Sequence, residues 1–389
     1  MQLVLKLQFF QRPKLLDFTK LPRRVLWCFG FYFGDGMEEH SFHCVICIIS
    51  LTLIIPLPIM IMGKIVLDLK NDLQALLETL HYFFLHFWIV VKLMLFLCGF
   101  RRLRKLEAWL QTEIFNSHTR KQDHFFNEAM RKQMSFFKLL WSSTMCFTSM
   151  FALFLPSDKV SLNIPIWMPF KMPRIFCHIY QVLCYVITAS TYPAIDCIIT
   201  GLVANMTAQL QILGDNLDKI HLDVDGTILK CEDKIQERLK RFIQHHIAVL
   251  QFIDETEAIF SYSLFCQILF SVLGICLSGF QFLLVPPGNT KFMLACGYLT
   301  VMFFQIYFTC WFIEDLIIQG SDVVTSCYTS EWYNYGTPTK RLLFILMERA
   351  KKPISFRAGY FFTLSLATFV MILRNSYSYF AILRQVYKE

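Results

Sequence analysis

The sequence predicts an all-α protein that crosses a lipid bilayer several times. Hydrophobic residues make up 55% of its 389 residues and charged residues only 17%, whereas soluble domains average about 45–50% and about 25%. The mean hydropathy is +0.47, and 40 residues are Phe. A soluble chain of this size could not bury so much apolar surface behind so little charge. The same composition excludes a disordered chain.

Seven apolar blocks are long enough to cross the hydrocarbon core, which takes about 20 helical residues. Irregular segments cannot span lipid because their backbone groups would lack hydrogen-bond partners, and the blocks are too long for barrel strands. We therefore expect seven transmembrane helices, the first interrupted by Pro56 and Pro58 and the fourth by Pro193. The blocks cover residues 41–63, 75–99, 134–155, 175–203, 258–285, 291–313 and 356–383.

Lys and Arg are concentrated in alternate connections between these blocks. Of the 37 basic residues, 26 lie in residues 1–40, 100–133, 204–257 and 314–357. Because basic loops stay in the cytoplasm, we expect a cytoplasmic N-terminus and an extracellular C-terminus. This orientation is the reverse of that of a G-protein-coupled receptor. The loops on the outer side are short, so an external ligand must bind among the helices.

The residue types of a metal site or an enzyme site are present but are not arranged as such sites require. Cys44 and Cys47 have CxxC spacing inside an apolar span, without a second pair or a histidine at ligand spacing. The neighbouring His245 and His246 also lack a third ligand. We expect no metal, no cofactor and no enzymatic activity. Nucleic-acid binding is not expected either, because the aromatic residues lie in the spans and not beside a basic face.

The last block carries a polar stripe at helical spacing. The stripe is polar in its middle and ends in aliphatic side chains around an amide, and it contains Met371, Asn375, Ser378, Ile382, Gln385 and Val386. A ring of aliphatic side chains can gate a pore by excluding water, and an amide can coordinate partly hydrated cations. The same stripe also fits an ordinary packed helix end. The residues alone leave both interpretations open.

The C-terminal stretch from Ser321 to Glu389 contains several recognisable motifs. They are Tyr328 followed by Trp332, Lys340-Arg341, a helix ending in Arg349, Lys352-Pro353, Gly359, Ser365-Leu366, Phe369 and the tail SYSYFAIL. This stretch resembles the C-terminal signature of the insect odorant receptor family, and Asp196 late in the fourth span agrees with it. The chain is shorter than the family's shared co-receptor and resembles a ligand-tuning subunit.

The resemblance implies the odorant-binding subunit of a ligand-gated, non-selective cation channel. Four subunits would surround one pore, and this chain would pair with the co-receptor in the plasma membrane of olfactory dendrites. Residues 1–40 would be a cytoplasmic segment, and residues 41–313 would contain spans one to six with the pocket. Residues 314–355 would be a cytoplasmic anchor region with a helix near 321–350. Residues 356–389 would form the pore helix and a short tail. The seventh element would thus be split. Alignment with the co-receptor places the gate at Ile382, Gln385 and Val386, with Ser378 in the same pore.

A pocket for a small volatile ligand should be closed, aromatic and equipped with few polar groups. The outer halves of spans two, three, four and six provide such residues at helical spacing. The candidates are Tyr82, Phe83 and His86 on span two; Thr144, Thr148 and Phe151 on span three; His178, Gln181, Tyr185 and Thr188 on span four; and Tyr298 and Met302 on span six. For each of them, hydrogen bonding between helices is the alternative explanation.

Three other classes remain as alternatives. A gustatory receptor would have the same architecture. A G-protein-coupled receptor would need an outside N-terminus and an extracellular disulfide, and the sequence pattern supports neither. A transporter would show repeated halves and broken helices near the midplane, and we find no repeat.

Overall fold

Long helices make up most of the computed structural model, which describes residues 15–33, 37–68, 73–153, 164–167, 173–222, 231–284, 290–359 and 361–388. The helices are α1 (Lys20–Cys28), α2 (Met37–Ile54), α3 (Pro56–Asp68), α4 (Leu73–Trp109), α5 (Glu113–Asn116), α6 (Asp123–Leu153), α7 (Arg174–Asp218), α8 (Glu232–Leu284), α9 (Thr290–Thr329), α10 (Thr337–Ala350) and α11 (Leu366–Lys388). Between α10 and α11, β1 (Arg357–Ala358) and β2 (Phe362–Thr363) form a small antiparallel hairpin. The predicted all-α class is confirmed.

Six helical segments of the described chain are long and apolar enough to cross a membrane. They are Ser41–Leu67, Thr79–Trp109, Arg120–Leu153, Arg174–Asp218, Glu232–Gly279 and Phe292–Thr329. The chain is therefore a multi-pass membrane protein, and α11 is its last helix. The interruption predicted in the first span separates α2 from α3 at Pro56, because proline has no N–H to continue the helix.

Helix α7 is the central helix of the bundle. It contacts α6, α8 and α9 on its long sides and α1 and α2 near the N-terminus of the chain, and it is buried along nearly its whole length. A buried hydroxyl in a bilayer needs an acceptor. Threonine hydroxyls on α7 find one in the carbonyl four residues earlier: Thr188 donates to Cys184 at 2.9 Å, and Thr200 donates to Asp196 at 3.1 Å.

The long helices continue past the predicted spans at one end of the bundle. Helix α8 is unbroken from Glu232 to Leu284, and α9 continues to Thr329. Helix α10 packs across these extensions through Leu343, Leu346 and Ala350. These α10 residues therefore continue the apolar core of the bundle into this end.

The split seventh element has different boundaries from those predicted. The helix expected near 321–350 is divided, because α9 includes residues up to Thr329 and α10 begins at Thr337. The last helix begins at Leu366 and not near residue 356. Pro353 and Gly359, which has a φ of +58°, are incompatible with a continuous helix in this segment, and the Ser365 hydroxyl caps α11 by accepting a hydrogen bond from the Thr368 N–H at 3.2 Å.

Candidate functional site: an aromatic cavity and the open face of the last helix

A small cavity lies at the end of the bundle that is remote from α10. Five helices meet there, and its walls are His81, Tyr82 and Leu85 of α4, Phe147 and Phe151 of α6, Tyr185 of α7, Gln281 of α8, and Leu294, Ala295 and Tyr298 of α9. None of these residues is Asp, Glu, Lys or Arg. The cavity volume is about 10 Å³, which is room for about one water molecule. A larger ligand must therefore push the aromatic walls apart.

Contacts between aromatic rings hold these walls together. The ring of Tyr185 lies 4.4 Å from that of Phe151, centroid to centroid, and the ring of His81 lies 4.8 Å edge-on from that of Tyr298. Gly274 lies against the Tyr298 hydroxyl, and a methyl group at this position would be 2.5 Å from that oxygen. The absence of a side chain on Gly274 thus makes room for the phenol. Such packing gives an apolar, shape-selective site.

The structure brings some of the predicted ligand-binding residues to this cavity and leaves others outside it. Tyr82, Phe151, Tyr185 and Tyr298 line the cavity. The others are not among its lining residues. Phe83 stacks on Phe87, His86 packs edge-on against Tyr185, and His178 stacks on Phe151. Thr148 and Thr188 donate to carbonyls of their own helices, Gln181 donates to Ile164 O, and Met302 accepts from Ser271.

The Thr144 hydroxyl compensates for a backbone hydrogen bond that Pro193 removes from α7. A proline inside a helix leaves the carbonyl four residues earlier without its helical donor, and for Pro193 this is the carbonyl of Ala189. The Thr144 hydroxyl lies 3.0 Å from that oxygen and 2.9 Å from the carbonyl oxygen of Trp141. We infer that Thr144 satisfies the backbone next to Pro193, which is a structural contact between α6 and α7.

The sequence interpretation missed several cavity residues. They are His81 as a wall residue, Leu85, Phe147, Gln281, Leu294 and Ala295. Leu294 and Ala295 lie one turn before Tyr298, and Phe147 lies one turn before Phe151, so helical periodicity could have found them. Periodicity identifies the face of a helix but not the depth at which neighbouring helices meet. Gln281 had no such signal, because span five was not expected to contribute.

A buried ion pair joins four helices about two turns deeper in the bundle. The Lys92 ammonium on α4 pairs with the Asp196 carboxylate on α7, and both side chains are at most 1% exposed. Lys92 also donates to Gln267 on α8 at 3.0 Å, and Gln305 on α9 donates to Asp196. The Lys92 nitrogen lies 3.9 Å from the centroid of the Tyr192 ring. The sequence signal for this pair was a lysine in the middle of one apolar span and an aspartate in another.

The last helix has one packed face and one open face. Ile372 and Ser376 are buried against the rest of the chain, and Cys276 of α8 contacts the Ser376 carbonyl at 3.6 Å. The opposite face carries the polar stripe: Met371, Asn375, Ser378, Ile382 and Gln385 are all exposed in the single chain. The side chain of Val386 lies outside the described residues. A polar face that the described residues leave open, on a helix predicted to cross the membrane, needs water or another subunit.

The C-terminal end of α8 contacts both the cavity and α11. Gln281 lines the cavity. Two residues earlier, Gly279 packs against α11 so closely that a methyl group there would lie 2.9 Å from Cδ2 of Phe380. A movement of this helix end would therefore change the cavity and the last helix together.

An apolar groove lies at the opposite end of the bundle. Tyr328, Trp332, Leu343 and Phe344 are among its lining residues, and its volume is about 580 Å³. Phe344 and Ile345 on α10 are more than 60% exposed. An exposed apolar patch of this kind is typical of a protein–protein contact. We call this groove, which Ile345 also lines, the anchor surface.

These features define a class: a polytopic helical membrane protein with an aromatic cavity at one end and an open polar face on its last helix. The 7tm Odorant receptor family profile matches residues 72–377, so the chain belongs to that family. The chain is thus a member of a receptor family and not of an enzyme family. This confirms the family inferred from the C-terminal motifs.

Individual relatives are similar to this chain over parts of their length. Odorant receptor 94a of Drosophila melanogaster is 33% identical over 31% of this chain and 32% of its own length. Odorant receptor Or1 of Anopheles gambiae is 25% identical over 59% and 61%, and the odorant receptor coreceptor of Aedes aegypti is 25% identical over 46% and 37%. The chain therefore spans about a third to three-fifths of these relatives.

The fold as a whole matches a solved structure. The insect olfactory receptor OR5 from Machilis hrabei, in complex with eugenol, has a TM-score of 0.80 and 16% sequence identity to this chain. The match covers 96% of this chain and 98% of that chain. The two proteins share the arrangement of helices over almost their full length.

Proposed function

We propose that this chain is the odorant-binding subunit of a heteromeric, ligand-gated, non-selective cation channel. In this proposal the chain assembles with an odorant receptor co-receptor as a tetramer. The N-terminus is cytoplasmic and the C-terminus is extracellular. The complex acts in the plasma membrane of olfactory dendrites, where a volatile ligand enters the aromatic cavity and opens a pore lined by α11.

The observation that carries the proposal is the double contact of the α8 end with the cavity at Gln281 and with α11 at Gly279. A ligand shifts an equilibrium only by its difference in affinity for two states. A cavity of about 10 Å³ cannot hold an odorant unless its walls separate. We infer that the ligand stabilises the state in which the α8 end has moved, and that Phe380 transmits this movement to α11.

Assembly is supported by two surfaces that the single chain leaves exposed. The polar face of α11 would line the shared pore, and the anchor surface would bury its aromatic residues against a neighbouring subunit. The exposed Gln385 would supply an amide at the pore, and a neutral amide predicts weak discrimination among cations. The solved complex of OR5 with eugenol supports a small aromatic ligand for this fold.

Whole-cell recording tests the proposal. Cells that express this chain with the co-receptor, either subunit alone, or neither are exposed to a panel of volatile compounds while G-protein signalling is blocked. We expect odorant-evoked currents only when both subunits are present, with a reversal potential that barely changes when Na⁺ replaces K⁺.

Two results would argue for a different function. Responses that disappear when G-protein signalling is blocked would indicate a G-protein-coupled receptor. Responses of the same size without the co-receptor would indicate a channel of the gustatory type.

A further inference from the structure

Two polar atoms in the cavity wall have no hydrogen-bond partner among the residues that the structure describes. They are Nδ1 of His81 and the hydroxyl oxygen of Tyr185, and both side chains are buried, with 4% of their surface exposed. Buried polar groups in proteins nearly always have a partner, and the bilayer interior offers little water to replace one. Both residues line the same cavity on different helices. The cavity wall therefore contains two unsatisfied polar groups in a mainly apolar site.

Three polar donors near the cavity have acceptors within the chain itself. Tyr180, on the same helix as Tyr185, donates its hydroxyl to Leu53 O at 2.8 Å. Thr188 donates to Cys184 O, and Gln181 donates to Ile164 O. Nε2 of His86, Nδ1 of His178 and Oε1 of Gln181 are also unpaired among the described residues, but these side chains do not line the cavity, whereas His81 and Tyr185 do. A ligand polar group at the cavity would give them partners.

The rest of the cavity restricts what that ligand can be. Leu85, Phe147, Leu294 and the rings of Phe151 and Tyr298 present carbon to the ligand. Because none of the described lining residues is Asp, Glu, Lys or Arg, an ammonium or carboxylate group would be buried without a permanent opposite charge, which is strongly unfavourable. A neutral oxygen can accept from the Tyr185 hydroxyl, and a buried O–H without an acceptor is costly.

We propose that this cavity selects neutral oxygenated ligands, with the ligand oxygen accepting a hydrogen bond from the Tyr185 hydroxyl and contacting Nδ1 of His81. The inference rests on the proposed function, since it takes the cavity to be the odorant site. A carbonyl oxygen fits if Nδ1 carries a proton, and an alcohol or phenol fits if Nδ1 is bare. A hydrocarbon of the same shape leaves both atoms unpaired, and sites built to bond an oxygen reject such analogues.

Thermal stabilisation of the purified full chain by matched probes tests this selection. The probes are benzyl alcohol, benzaldehyde and toluene, and, as a second series, 1-hexanol, hexanal and hexane. For each probe we compare the concentration that gives half-maximal stabilisation. In at least one series, we expect an oxygenated probe to need a concentration about tenfold lower than its hydrocarbon, because the net contribution of one hydrogen bond corresponds to about that ratio. Preference for the alcohol or for the aldehyde shows which form of His81 is present.

Three variants locate the selection. The Tyr185→Phe variant should still bind the hydrocarbon, but the oxygenated probe and the hydrocarbon should now stabilise it at nearly equal concentrations. We expect the same result independently for His81→Phe. Tyr180→Phe removes a hydroxyl from the same helix outside the cavity and should leave the ratio unchanged. Three results would each overturn the inference. They are equal stabilisation by oxygenated and hydrocarbon probes, no stabilisation by either series, and an unchanged concentration ratio in the folded Tyr185→Phe or His81→Phe variant.

Recordings of the complex with the same probes separate this inference from the proposed function. Selective binding without current would contradict the channel proposal and leave the inference standing. Current that does not distinguish oxygenated from hydrocarbon probes would contradict the inference and leave the channel proposal standing.

Discussion

Lys92→Met is expected to lower the folding stability of this receptor by about 3–5 kcal/mol, the range seen when one partner of a buried ion pair is removed. The substitution leaves the Asp196 carboxylate buried with only Gln305 as a described side-chain donor, and Gln267 loses the ammonium that it accepts from. Since the pair joins α4 to α7, α8 and α9, the effect should extend across the bundle. Surface biotinylation and the melting temperature in detergent measure it.

A matched control distinguishes the pair from a general effect of losing a lysine. Lys138 lies in α6 with an exposed side chain, so Lys138→Met should change surface expression little. The double variant Lys92→Met with Asp196→Asn removes both charges and should recover much of the lost stability. If Lys92→Met reached the surface at the wild-type level with an unchanged melting temperature, the ion pair would not be structural.

Ile382→Ala is expected to raise the resting current of the complex with the co-receptor. Ile382 is 58% exposed on the open face of α11, where our proposal places a ring of aliphatic side chains that excludes water in the closed state. If the smaller side chain removes about 1 kcal/mol of closed-state stability, the ratio of open to closed channels rises about fivefold. Whole-cell current without odorant, normalised to surface expression, measures this.

A second exposed position on the same helix provides the control. Val370 is 61% exposed near the start of α11 and lies outside the polar stripe, so Val370→Ala should leave the resting current near its wild-type level. A silent Ile382→Ala channel at full surface expression would contradict the gate assignment.

The sequence predicted the helical class and the spans because bilayer thickness determines how long an apolar segment must be. The start of α11 was predicted about ten residues too early, because residues 356–365 are apolar enough to belong to a membrane helix. In the structure, Pro353 and Gly359 interrupt the helical backbone, and the Ser365 cap begins α11. These are local backbone features that hydropathy does not report.

The cavity was predicted less completely for a different physical reason. Tyr82, Phe151, Tyr185 and Tyr298 were found because aromatic residues at helical spacing mark a face. Thr144 was assigned to the pocket, whereas its contact with Ala189 O is explained by Pro193, which removes a donor on another helix. Lys92 and Asp196 were each visible as isolated charges, but their pairing depends on how α4 and α7 cross. Contacts between helices are set by tilt and rotation, which a single sequence does not specify.

Cysteine accessibility during recording tests the pore most directly. Ser378 is exposed on the open face of α11, and Ser376, two residues away, is 1% exposed and packed inward. A membrane-impermeant cationic methanethiosulfonate reagent is applied to complexes that carry Ser378→Cys, Ser376→Cys or no substitution. We predict irreversible loss of current for Ser378→Cys alone, faster in the presence of an odorant. Labelling of Ser378→Cys that leaves the odorant-evoked current unchanged would contradict a pore lined by this helix.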